Sequence, residues 1–170
     1  VPASVTTVPE FFTWVQANPN GGAFGSPAAG STPPFVGAFL GLPGGVEFEH
    51  VGYRGTPPAL MDMIGGNIAA VSGPLGDMLQ HINSGKMRVL GTSGAKRSRF
   101  MPKVPTFAEQ GYKDMVHSEW FAFFLPAKAK PELVERLNAN MRQALASPEV
   151  VDSLGVFGLE AMSSTPAALT

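Results

Sequence analysis

The chain has 170 residues, of which 44% are hydrophobic, so it contains enough apolar material to bury a core. Its 12 Lys and Arg residues nearly balance 13 Asp and Glu residues, and this balance argues against binding to nucleic acid or to an anionic membrane surface. The absence of cysteine excludes disulfides, thiolate catalysis and Cys-ligated metals, and it leaves both a cytoplasmic and a periplasmic location open.

The first half of the chain alternates helical and strand-like segments. A capping box at Thr7–Glu10 predicts the start of a first helix. The expected strands cover residues 23–25, 46–51, 67–72 and 87–92, and the helices between them start at Pro33, Pro57 and Pro74. Because parallel strands need a helical crossover, this alternation predicts a mostly parallel sheet covered by helices.

Three of these strands run into turns of small residues that contain proline and open a helix. The turns span residues 25–33, 53–57 and 72–74. Ser and Thr are favoured N-caps, proline is preorganised for the first helical position, and glycine lets a ligand approach the backbone. Since the carboxyl ends of parallel strands meet at one edge, the turns are predicted to direct free N–H groups at one anion, most simply a carboxylate.

The free energies involved decide what kind of site this could be. One helix N-terminus contributes roughly 0.3–1 kcal/mol to a nearby negative charge, whereas micromolar binding requires about 8 kcal/mol. Several turns must therefore converge on one ligand, with a second wall closing over it. This arrangement is typical of a protein that captures a solute.

The second half of the chain carries further signals. A capping box at Thr106–Glu109 predicts a short helix, and the apolar run Trp120–Leu125 predicts a strand that is buried on both faces. Helical spacing of apolar residues predicts a helix from Pro131 to Ala146, followed by a shorter one capped by Ser147. Residues 157–162 are expected to form a last strand.

A series of motifs covers nearly the whole chain. In order, they are Phe24-Gly25-Ser26 with Gly30-Ser31, His50–Leu60, Gly65–Ile68, Ile82–Leu90 and Val104–Tyr112. The Pro-Thr-x-x-Glu-x-Gly-Tyr segment at 105–112 is the most specific of them. These motifs resemble those of the Bug (TctC-like) extracytoplasmic solute receptors.

The resemblance implies an α/β fold: a periplasmic-binding-protein type II-like lobe with a mostly parallel sheet flanked by helices, plus an incomplete second lobe. Residues 1–117 would form the ligand-binding lobe, which is the second lobe of the family. Residues 118–170 would form the C-terminal return into the first lobe, most of which is encoded in family members ahead of the equivalent of Val1. The run at 120–125 would then lack neighbouring strands, so a second copy of the chain, as in a homodimer, or another segment is expected to cover it.

The resemblance also implies a function. The chain would be a periplasmic receptor, not an enzyme, that captures a small carboxylate and passes it to the membrane permease subunits of a tripartite tricarboxylate-type transporter, without a cofactor. The ligand-binding residues carried over by position belong to the three turns: Ser26, Ala29, Gly30, Ser31 and Thr32, then Tyr53, Arg54, Gly55 and Thr56, then Ser72 and Gly73.

One departure from the family pattern concerns the first turn. Pro27, Pro33 and Pro34 stand where the family more often has small or N–H bearing residues, and each proline removes a backbone donor. Fewer amides are therefore expected to reach a ligand there.

Two other functions remain open. The same fold could serve as a ligand-sensing signalling partner, or a hydrolase or isomerase could use the same cleft. His50, His81 and His117 lack metal-binding spacing, and the chain has neither a G-x-S-x-G elbow nor a nucleotide-binding glycine loop, so neither a metal nor a cofactor is predicted. Stoichiometric binding without turnover would favour a receptor or a signalling protein over an enzyme.

Overall fold

The computed structural model describes residues 1–18, 21–27 and 31–169. The chain divides into two compact units, Val1–Glu119 and Trp120–Thr170. The assignment of residues 1–117 and 118–170 to the two lobes of the family stays a prediction.

The first unit contains a parallel sheet flanked by helices. Its elements are α1 Val8–Ala17, β1 Ala23–Pro27, α2 Thr32–Gly41, β2 Glu49–Tyr53, α3 Thr56–Gly65, β3 Ala70–Val71 and α4 Leu75–Asn83. The strand order is β2-β1-β3, and Phe24 in the central strand is in register with His50 on one side and Ala70 on the other. The α/β fold class predicted from the sequence is confirmed.

The helices of this unit begin within one residue of the positions that the local signals predict. At the start of α1, the Glu10 N–H donates to Thr7 Oγ1 at 3.3 Å and the Thr7 N–H donates to Glu10 Oε2 at 3.0 Å, which completes the capping box. Helix α3 is followed by its C-cap residue Gly66, whose φ of 83° is readily adopted only by glycine. The crossovers are therefore encoded locally.

The apolar core of the first unit lies around α1. Val8, Phe11, Phe12 and Val15 are buried on one face of this helix and pack with Val5, Val46 and Phe107. The Phe12 ring makes an edge-on contact with Tyr112, with ring centroids 5.5 Å apart. This packing connects the N-terminal helix to residues about a hundred positions further along the chain.

The predicted strand at 87–92 is wrong. The Leu90 carbonyl accepts a hydrogen bond from Gln110 Nε2 at 2.9 Å, and Arg88 Nη1 donates to the Ala3 and Val5 carbonyls at 2.8 Å. One bridge between Thr92 and Thr106 is the only strand-like pairing of this segment in the described part of the chain. The strand predicted at 67–72 shortens to β3, because the Asn67 N–H bonds the Asp62 carbonyl to close α3.

The second unit consists of helices α5 Pro131–Leu145, α6 Pro148–Val156 and α7 Pro166–Leu169. Ser147 caps α6 by accepting a hydrogen bond from the Val150 N–H at 3.3 Å, as its sequence predicts. None of the three helices contains a buried residue. Local signals therefore define these helices without a buried core among them.

The run Trp120–Leu125 does not form the predicted strand. Its aromatic side chains are well exposed, with Phe123 at 82% and Phe124 at 74%. The single chain supplies no neighbouring strand to this segment within its described residues, so the expected burial of both faces is wrong for the chain alone. Residues 157–162 form no strand either, for the same reason. That a second copy or another segment covers the run stays a prediction.

Candidate functional site

The three proline-containing turns follow three neighbouring parallel strands. Pro27 at the end of β1 is in register with Tyr53 at the end of β2, and Gly25 is in register with Val71 at the end of β3. Because the strands run in the same direction, all three turns leave the sheet at the same edge. We call this region the turn edge, meaning residues 26–27, 31–33, 53–57 and 72–75.

Two contacts join the turns to one another. Ser72 Oγ donates to the Pro33 carbonyl at 2.8 Å, which connects the third turn to the start of α2. A Cβ placed on Gly73 would lie 3.3 Å from Thr56 Cγ2, so the third turn also lies against the start of α3. The third turn therefore lies between the other two helix starts.

The first turn is braced internally. Ser26 is fully buried, and its Oγ shares a hydrogen bond of 2.7 Å with Nε2 of His50, which is exposed on β2. Ser31 occupies the N-cap position of α2, and its Oγ donates to the Pro27 carbonyl at 3.0 Å. Thr32 is the first residue of α2. Ala29 and Gly30, also predicted to bind ligand, lie outside the described residues.

Tyr53 supports the second turn from within the protein. Its hydroxyl donates to Asp62 Oδ2 at 2.8 Å, and Asn67 Nδ2 donates to the other carboxylate oxygen at 3.2 Å. Burial, followed by the hydrogen bond to Asp62, raises the pKa of the Tyr53 hydroxyl. The hydroxyl therefore stays protonated and acts as a brace between β2 and α3.

Free backbone donors at the turn edge are few. Proline occupies positions 27, 33, 57 and 74, and the Ser72 N–H is already bonded to the Gly25 carbonyl at 2.9 Å. Within the described residues, the N–H groups of Arg54, Gly55 and Gly73 donate no hydrogen bond. Helix geometry leaves the first N–H of α3 and of α4 without a partner in its own helix.

Arg54 adds a full positive charge to the turn edge. It directly precedes Gly55, whose φ of 107° forms the sharp bend into α3. The Arg54 side chain is exposed, and among the described residues no carboxylate pairs with it. Its guanidinium can therefore bind two oxygens of an incoming carboxylate.

A groove of about 390 Å³ runs along α2 from the turn edge. The main chain places the segment 114–117 opposite the helix, with the His117 N–H bonded to the Ser93 carbonyl at 2.7 Å. The lining residues are Ser31, Thr32, Phe35, Val36, Phe39, Asp114, Met115, Val116 and His117. Sequence reasoning did not connect the two segments, because only the fold brings residue 117 to residue 31.

Among the described residues, no group of three or more His, Asp or Glu side chains is placed to hold a metal ion. Of the helices in the described part, none is both long and apolar enough to span a bilayer.

The fold places the chain in a class of known proteins. A solved structure described as a periplasmic transporter superposes with a TM-score of 0.87 at 24% identity, covering 98% of this chain and 56% of that one. A second structure, R. palustris Rpa4515 with adipate, gives a TM-score of 0.86 at 26% identity over the same shares of the two chains. The fold is that of the periplasmic solute-binding proteins.

The sequence narrows this class to one family. Residues 1–168 match the model of TctC, the tripartite tricarboxylate transporter family receptor. The chain belongs to this family of receptors, as its motifs suggest. It is 34% identical over 151 residues to the protein BugT of Bordetella pertussis, covering 89% of this chain and 46% of BugT. The chain therefore spans about half the length of BugT and of two other relatives that it matches.

Proposed function

We propose that the chain forms the carboxylate-binding part of a periplasmic receptor that supplies a tripartite tricarboxylate-type membrane transporter. The observation that carries the proposal is the convergence of three turns at one sheet edge, where Arg54 and several N–H groups have no partner in the described chain. Family membership and the adipate in Rpa4515 support it. The permease subunits and the periplasmic location are part of the same proposal.

The turn edge suits one carboxylate group of such a ligand. Arg54 provides a planar pair of donors, and the N–H groups of Gly55, Thr56 and Gly73 belong to two turns that lie against each other. Ser26 and Tyr53 contribute by holding the strands, since their hydroxyl groups are engaged with His50 and Asp62. The predicted binding residues thus divide into ligand contacts and supports.

The Ser26–His50 contact bears on the hydrolase alternative. A nucleophilic serine must reach its substrate, whereas the Ser26 side chain is fully buried. Within the described residues, no hydrogen bond orients the other ring nitrogen of His50. The pair therefore fits a structural bond between β1 and β2 better than a catalytic pair.

A thermal-shift titration with adipate tests the proposal. A ligand that binds only the folded state raises the unfolding midpoint, and the increase grows with ligand concentration. We expect adipate to stabilise the protein and its uncharged diamide, adipamide, to have no effect. Replacement of Arg54 by Gln removes a charge-assisted pair worth about 1.5–3 kcal/mol, so affinity should fall at least tenfold.

The exposed Arg136 on α5 offers a matched control. Its replacement by Gln changes the net charge equally and should leave the adipate response unchanged. If neither adipate nor a panel of other small carboxylates stabilises the protein, or if adipate is converted to a product, the proposed function is wrong.

A further inference from the structure

The balanced net charge of the chain conceals a strong local separation. Residues 86–113 contain seven Lys and Arg residues and one acidic residue, a net of +6, whereas the rest of the chain has five basic and 12 acidic residues, a net of −7. Two of the seven basic side chains already have partners within the chain, since Arg88 donates to the Ala3 and Val5 carbonyls and Arg97 pairs with Glu109. The others are exposed.

Three of the exposed cations lie on one compact loop, which we call the basic loop, residues 96–103. Arg97 holds its base: the guanidinium donates to both carboxylate oxygens of Glu109 at 2.9 Å and to the Pro102 carbonyl at 3.3 Å. Glu109 is fixed in turn by the Thr106 N–H at 2.7 Å. The loop thus closes on itself over the 106–109 capping box.

Bonds within the loop hold its backbone, and a ring contact orients Arg99. The Met101 N–H bonds the Ser98 carbonyl at 3.0 Å, and the Val104 N–H bonds the Met101 carbonyl at 3.0 Å. The Arg99 guanidinium lies 4.7 Å from the centre of the Phe100 ring, which orients it above a half-buried aromatic surface. In the described part of the chain, Lys96, Arg99 and Lys103 have no acidic partner.

A lipid surface and nucleic acid are poor partners for this loop. Its apolar residues Phe100 and Met101 are half-buried and so are not available to insert into a bilayer. Three cations alone attract an anionic membrane by about 1 kcal/mol each, which gives only marginal binding. Nucleic-acid binding proteins neutralise many more phosphates. Fixed carboxylates on a protein match an ordered Arg and two Lys better.

We propose that the basic loop is a docking surface for an acidic patch on a protein partner. The loop is held by the Arg97–Glu109 pair and presents Lys96, Arg99 and Lys103 together, so that it accelerates and orients encounter with a negatively charged surface. The docking surface does not depend on which solute is captured. Identification of the partner with the transporter permease rests on the proposed function.

A poly-glutamate peptide serves as the probe for this surface. Binding is measured at low and at physiological ionic strength for the wild type and for the triple variant K96E/R99E/K103E, which leaves Arg97 and its support intact. The matched control K128E/K130E/R142E makes the same charge change at exposed positions of the second unit. We expect salt-sensitive binding by the wild type and the control, and about a tenfold weaker affinity in the loop variant.

Several outcomes would overturn the proposal. These are no binding of the probe by the wild type, equal loss in both triple variants, or loop-dependent binding to vesicles of equal parts phosphatidylcholine and phosphatidylglycerol without binding to poly-glutamate. The adipate thermal shift is measured on the same variants. The loop variant should keep the wild-type response to adipate. If adipate does not stabilise the wild type while the loop result holds, the proposed solute and permease are wrong and the docking surface stands.

Discussion

The two units of the chain differ in how their helices are held. In the first unit, α1 buries four apolar side chains, and every buried hydrophobic residue found in the described chain lies between Val5 and Phe107. In the second unit, α5 and α6 have regular starts and amphipathic spacing but no buried residue. The comparison shows that capping and periodicity specify a helix, whereas a core requires partners distant in sequence.

The difference also separates two kinds of exposed apolar residue. Phe35 and Phe39 of the first unit are about half exposed beside a groove that continues from the turn edge. Trp120, Phe121 and Phe123 of the second unit are exposed in a segment without secondary structure. A run of this kind is typical of a segment that is covered in a larger assembly.

The largest expected effect comes from truncating one phenylalanine in each unit. Phe12 is 4% exposed and Phe123 is 82% exposed. Phe12→Ala should cost about 3–5 kcal/mol of unfolding free energy because it leaves a cavity in the core, whereas Phe123→Ala should cost less than about 0.5 kcal/mol. Urea unfolding of both variants measures this. Equal losses of unfolding free energy would mean that the run at 120–125 is buried in solution, and would contradict the difference between the two units.

A glycine tests how tightly the first unit is packed. Gly37 lies within α2, where Ala would normally stabilise a helix by about 1 kcal/mol. A Cβ at this position would overlap the Phe24 ring, with Cζ at 2.7 Å. Gly37→Ala should therefore destabilise the protein by about 1–3 kcal/mol.

Gly65→Ala at the end of α3 is the control for this change. Among the described residues its added Cβ would meet only Asn67 Nδ2, at 3.8 Å, so no destabilisation from crowding is expected. Thermal denaturation compares the two variants. A stabilising Gly37→Ala would show that the α2–β1 contact is looser than described.

A smaller effect is expected where a cap acts alone. Ser147→Ala removes the acceptor for the Val150 N–H and should lower the stability of α6 by about 1 kcal/mol. Hydrogen exchange of the α6 amides measures this loss. Ser153→Ala, at an exposed position inside the same helix, should leave exchange unchanged. Unchanged exchange in Ser147→Ala would indicate that tertiary contacts, not the cap, hold α6.

The smallest effect should appear only in acid. Arg97, followed by the Thr106 N–H, holds the pKa of Glu109 below its ordinary value of 4.5. Its stabilising contribution is therefore complete above pH 4.5 and is lost as pH falls from there through the lower pKa of the folded state. Glu109→Gln should reduce this acid-dependent loss in urea unfolding.

Glu49→Gln is the matched control for Glu109, since Glu49 makes no side-chain hydrogen bond or ion pair in the described part of the chain. It should keep the acid-dependent loss of the wild type. An identical acid response in Glu109→Gln and the wild type would show that the pair at the base of the basic loop is not formed in solution.

The sequence predicts most of the first unit because its signals are local. The Thr7–Glu10 capping box, Gly66 and the prolines that open α2 and α3 act within a few residues of the boundaries they set. The strand at 87–92 was predicted wrongly because apolar spacing does not reveal the local partners: the Leu90 carbonyl bonds the side chain of Gln110, 20 residues away. The buried strand at 120–125 was predicted wrongly because apolar content does not reveal whether a partner strand exists.

The candidate site could be predicted only in outline. The shared edge of the three turns follows from the parallel direction of the strands, which the alternation of strands and helices indicates. The burial of Ser26 against His50 and the Ser72–Pro33 contact depend on side-chain packing across strands, which no local pattern encodes. The groove between α2 and residues 114–117 likewise depends on the folded arrangement. The positive charge around the basic loop becomes visible only when charged residues are counted segment by segment.

The central claim is that a carboxylate binds to backbone donors at the turn edge. Amide chemical shifts of the protein, recorded by NMR during titration with adipate, test it most directly. We predict saturable shifts concentrated at Arg54, Gly55, Thr56 and Gly73, with little change along α5 and α6. Shifts that are absent at these four amides, or that are centred on the second unit, would contradict the account.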